Sequence, residues 1–135
     1  MEKKKTPEQI AKEEIKKAKF DNSKYLHLDE LGMTSLPKEI GQLSNLVSLH
    51  ISRNSLSVPP AEIGQLANLV HLDISGNKLS ALPVEIGNLI RLEELDASHN
   101  NLTSLPSSIG NLINLKRLKL GNVVEYREPS YAYIV

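Results

Sequence analysis

The side chains best equipped for chemistry in this chain are its four histidines and the carboxylates near them. His27, His50, His71 and Asp73 together supply a ligand set suited to Zn²⁺ or a similar ion. Asp96, Ser98 and His99 supply the residue types of a nucleophilic triad. A histidine beside a carboxylate also changes charge near neutral pH, which would make partner binding pH-sensitive. Which of these chemistries is open to the chain depends on the elements that carry the residues.

Those elements repeat. Leu46, Leu69, Leu92 and Leu115 stand 23 residues apart, followed in step by Leu49, Leu72, Leu95 and Leu118. Asn54, Asn77 and Asn100 keep the same register, as do Pro60, Pro83 and Pro106 and the glycines at 64, 87 and 110. Residues 23–45 form an imperfect first unit, with Leu31 where the asparagine belongs, and Pro59 breaks the pattern once by replacing a leucine. Val123 stands where a last asparagine would fall, so the pattern decays there.

Within L-x-x-L-x-L, alternation sends one set of side chains inward and the intervening set outward on a short strand. The asparagine ends the strand, and its amide can satisfy the backbone of the neighbouring loop. Pro followed by Glu39, Glu62 or Glu85 and then Gly suits a single helical or 3₁₀ turn returning the chain. A fixed period of this length means that each unit buries its apolar face only against its neighbours.

The unit LPxxIGxLxxLxxLxLxxNxL resembles the Ras-group, intracellular type of leucine-rich repeat over residues 23–122, about four and a half units. The resemblance implies an α/β solenoid: a right-handed horseshoe arc with parallel strands on its concave face and short helical or 3₁₀ turns on its convex face. It implies a non-catalytic module or scaffold that binds a protein partner through the concave face. The alternative is a recognition subunit of a signalling or effector enzyme system, binding a GTPase or a host target.

Ahead of the repeats, residues 1–22 read as a disordered start (1–5) and a capping helix. Thr6 is placed as N-cap, Pro7 at the first helical position and Gln9 as the partner in a capping box. Ala11, Ile15 and Ala18, flanked by Ile10 and Phe20, make its apolar face, with Glu13 and Glu14 set to pair with Lys17. Its task is to cover the exposed core of the first repeat; a membrane-surface or partner-binding helix is the competing reading. The tail, 123–135, holds three of the four tyrosines and reads as an edge strand, a flexible tail or a sticky end. With no C-terminal cap evident in the sequence, a homodimer through that end is a further option.

Composition narrows the classes. Sixteen basic side chains balance sixteen acidic ones, so no net field recommends nucleic acid or a membrane. There is no cysteine, hence no disulfide framework and no thiolate chemistry. The start lacks an apolar signal core, and no apolar run approaches the ~20 residues of a spanning helix. A cytoplasmic protein is expected, with a secreted effector as the alternative.

The repeat also ranks the chemistries. Outward positions form columns across five strands: Tyr25, Ser48, His71, Glu94, Arg117 in the first, and His27, His50, Asp73, Asp96, Lys119 in the second. The third runs Asp29, Ser52, Ser75, Ser98, Gly121, with Glu30, Arg53, Gly76, His99 and Asn122 at its margin. An open sheet splays its side chains and offers a metal no dedicated outer shell, so no metal or other cofactor is expected. Ser98 and Asp96 share one open strand with no oxyanion pocket, and no phosphate loop, zinc-protease or nucleophile-elbow motif occurs. No enzyme activity is expected. The expected partner-binding residues are His27, His50, His71, Asp73, Glu94, Asp96, Arg117 and Lys119.

Overall fold

The computed structural model of the chain describes residues 3–121. It opens with helix α1 (Pro7–Phe20) and continues through five three-residue strands. These are β1 (Tyr25–His27), β2 (Ser48–His50), β3 (His71–Asp73), β4 (Glu94–Asp96) and β5 (Arg117–Lys119). Between consecutive strands lie four 3₁₀ turns, Lys38–Gln42, Ala61–Gln65, Val84–Asn88 and Ser107–Asn111. The strands form one parallel sheet in chain order. Each register step equals one repeat, so Leu26, Leu49, Leu72, Leu95 and Leu118 stand side by side. This is the solenoid expected from the sequence.

Each coil closes over leucines and isoleucines at fixed positions. Leu49 from strand β2, Ile51 just past it, Ile63 from the turn and Leu66 and Leu69 from the return are all at most 1% exposed. The turn prolines have extended backbones, and no side chain caps the turns. Pro59 is half-buried where the equivalent Leu82 is 4% exposed. The deviation is absorbed locally, since the turn at Ala61 still forms and still buries Ile63.

The asparagines carry the polar interior. Asn54 accepts from the backbone N–H groups of Leu31 and Met33 one repeat back, and donates to the carbonyls of Leu28 and Ile51. Asn77 and Asn100 repeat the pattern toward Leu56 and Leu79. No buried side-chain polar atom among the described residues lacks a hydrogen-bond partner.

Helix α1 covers the first repeat. Thr6 and Gln9 form the reciprocal capping box, and Ala11, Ile15 and Ala18 enter the common core. Glu8 accepts from the backbone and hydroxyl of Thr34, Lys12 lies 3.7 Å from Glu39, and Lys19 donates to Gln42. Three details depart from expectation. Glu13 pairs with Lys5 at 2.9 Å instead of Lys17, and Lys5 thereby has a place in a start read as disordered. Phe20 does not join the apolar face and is 87% exposed. Two residues past Ala18 the helix has turned by roughly 200°, so Phe20 points away from the core. The readings of the tail and of Asn122 lie outside the described residues.

Candidate functional site

Alternation along strands of only three residues fixes the face. The central leucine of each strand points into the core, and its two neighbours point to the concave side. Cross-strand partners in the first column are Ser48, His71, Glu94 and Arg117, and in the second His50, Asp73, Asp96 and Lys119. All of these line one open hollow of about 370 Å³, floored by Leu72 and Leu95. Of the residues expected to bind a partner, His27 alone stands outside it, on β1 beside the cap helix.

The two central aspartates are held, not loose. Oδ1 of Asp73 accepts from the backbone N–H and the hydroxyl of Ser75, at 2.9 and 2.6 Å. Oδ1 of Asp96 accepts in the same way from Ser98, at 3.0 and 2.6 Å. Each carboxylate therefore keeps its second oxygen for a further donor, and its orientation is set by its own strand. Serines of the third column are what lock the second. The sequence placed Ser75 and Ser98 on this face without assigning them that role.

Three histidines stand near carboxylates without closing a hydrogen bond. His50 Nδ1 lies 3.9 Å from Asp73, His71 Nδ1 3.8 Å from Glu94, and His27 Nδ1 3.9 Å from Asp29. The rings of His27 and His50 stack at 4.4 Å. Ser48, counted as outward, is only 6% exposed, and its hydroxyl sits 3.1 Å from His50 Nε2. The grouping weighed from sequence as a metal set, His27, His50, His71 and Asp73, is split by the structure. His71 turns to Glu94, while Asp29, not among the expected binding residues, joins His27 and His50. Asp29 was legible as an i+2 neighbour of His27 on the same face, but only the packing of β1 on β2 brings it to His50.

Ser98, weighed from sequence as a triad residue, donates its hydroxyl to Asp96 and clamps that carboxylate. His99 sits at the margin with φ +56°, a left-handed conformation shared by Glu30, Arg53 and Gly76 at the same repeat position. No described helix is long and apolar enough to cross a membrane.

Comparison with known proteins agrees with this architecture. A family described as "Leucine-rich repeat region" matches residues 62–130, and one described as "Leucine rich repeat" matches residues 22–79. No curated protein matches the chain. Among solved structures, a leucine-rich-repeat protein of Leptospira interrogans is 39% identical with a TM-score of 0.73, over 97% of this chain. The leucine-rich-repeat domain of a Shigella effector is 26% identical with a TM-score of 0.71, over 93% of this chain. The chain spans 29% of the Leptospira protein's length and 54% of the Shigella domain's.

Proposed function

The chain belongs to the leucine-rich-repeat family, and from that premise we propose that it is a non-catalytic module binding a protein partner through its concave face. Leucine-rich-repeat domains generally mediate protein–protein contact and are generally not catalytic. The observation that carries the reading is the pair Asp73 and Asp96. They face each other across adjacent strands, about 4.8 Å apart at the backbone, and each is fixed by its serine. Like charges directly opposed across a sheet cost stability. A cationic side chain of a partner, arriving beside Glu94 in the same hollow, would turn that cost into affinity. Arg117 and Lys119 give the face a basic far edge. The fitting partner surface therefore presents a basic residue to the centre, with selectivity from electrostatic complementarity.

The consensus LPxxIG with a 23-residue period supports the Ras-group type as the reading of the module's subtype. The Shigella likeness favours a second reading, recognition of a host protein by a secreted effector. The cytoplasm is the setting of the first reading and the host cell that of the second.

A pull-down with the intact chain beside an Asp73→Lys/Asp96→Lys variant, read by mass spectrometry, tests the site. The expected result is a partner captured by the natural chain and lost with the variant. Equal recovery by both would move the binding surface off the concave face. Capture of a bacterial signalling protein or of a host protein separates the two readings.

A further inference from the structure

At the N-terminal edge of the concave face we infer a binding site for a first-row divalent transition ion, Zn²⁺ being the best fit, held by His27, Asp29 and His50. One nitrogen from each ring and one carboxylate oxygen of Asp29 all lie within 4.8 Å of one another. Two imidazoles and a carboxylate are the donor set of open three-ligand sites, with a position left for water or an incoming ligand. Bond lengths of 2.0–2.2 Å around a tetrahedral ion bring ligand atoms to roughly 3.3 Å from each other. Side-chain rotation reaches that separation, because His27 and Asp29 are not packed in the core. Their side chains are 66% and 32% exposed.

The donors are backed by the outer shell that an open sheet ordinarily lacks. Oδ1 of Asp29 accepts from the backbone N–H of Ser52 at 2.7 Å and from its hydroxyl at 3.0 Å. That leaves Oδ2 as the oxygen turned to His27. The hydroxyl of Ser48 engages Nε2 of His50 and fixes that ring, while Nδ1 faces Asp73 at 3.9 Å without closing a hydrogen bond. Such groups orient metal ligands and set the histidine tautomer. Among the described residues no other carboxylate joins two histidines: Asp73 approaches His50 alone and is tied to Ser75, Asp96 is tied to Ser98, and Glu94 meets His71 alone. The site is distinct from the carboxylate centre of the hollow, sharing with its lining one ligand, His50, and the supporting Ser48, and its open position faces the same concave side.

Titration calorimetry of the full chain with Zn²⁺, followed by Co²⁺ absorption spectra, tests the site. One ion per chain is expected, with the visible bands of tetrahedral or five-coordinate Co²⁺. His27→Ala and His50→Ala are each expected to abolish binding, and Ser52→Ala to weaken it about tenfold by freeing Asp29. His71→Gln and His99→Asn are expected to leave it unchanged. Circular dichroism of each variant separates lost ligands from a lost fold; Asp29→Ala serves as the second ligand test should His50→Ala unfold. Absence of Zn²⁺ binding, binding unaffected by His27→Ala, or equal loss in His99→Asn would each overturn the inference.

Discussion

Glu8 shows how a single side chain fastens one element to another. It leaves the cap helix to accept from the backbone and hydroxyl of Thr34, and the Thr34 backbone bond holds its carboxyl below the usual 4.5. A carboxylate with a lowered folded pKa adds stability above its unfolded value, and that contribution fades as pH falls through the folded value. Glu8→Gln is expected to lower stability at pH 7 by at most about 1 kcal/mol, since the group is largely solvated. The difference from the natural chain should shrink in melts as pH falls below the ordinary carboxylate range. Asn77 is the opposite case, a buried amide serving four backbone groups. Asn77→Ala strands those groups away from water. A loss of about 2–4 kcal/mol in urea unfolding is expected, well above that of an exposed Asn→Ala change.

On the convex side, elements touch through glycine. A Cβ at Gly87 would stand 2.7 Å from the backbone oxygen of Ser108, and one at Gly64 2.8 Å from that of Glu85. Neither contact is tolerable without moving a neighbouring turn. At Gly110, in the last described turn, a Cβ meets no described atom within 4 Å. Gly87→Ala is therefore expected to cost about 1–3 kcal/mol by overpacking, and Gly110→Ala to be near neutral in the same thermal melts. The cap helix acts as an element in the same sense. Ile15 is 2% exposed and belongs to the common core, so Ile15→Ala should cost about 2–4 kcal/mol. Hydrogen exchange should show the loss first in the Tyr25–His27 repeat, because a solenoid unit contacts only its neighbours.

Across the whole molecule, the concave face reads from the cap to β5 as histidine, carboxylate, then basic. If the proposed partner docks there, stability and recognition pull against each other at its centre. Asp96→Asn removes one of two opposed charges while an amide oxygen can still accept from Ser98. The free protein is expected to keep or slightly raise its melting temperature. Its association with the partner found in the pull-down is expected to slow, with a weaker dependence on ionic strength. A variant less stable than the natural chain would show the carboxylate to be structural instead.

Most of the architecture was legible in the residue order, for a physical reason. When each unit repeats every 23 residues, neighbouring coils must align like positions, so register, strand order and core follow from the period alone. The capping box and the buried stripe of α1 were equally local, needing only side chains three or four residues apart. What the sequence could not decide depends on side-chain direction within aligned columns. Spacing set His71 and Asp73 beside the other histidines, but His71 turned to Glu94 and Asp73, clamped by Ser75, faces His50 alone, while Asp29 meets the stacked pair His27 and His50. Phe20 misled for the mirror-image reason: it is apolar, but the helix had turned past the core. A repeat dictates which residues become neighbours, while hydrogen bonds within the folded face choose which of those neighbours meet.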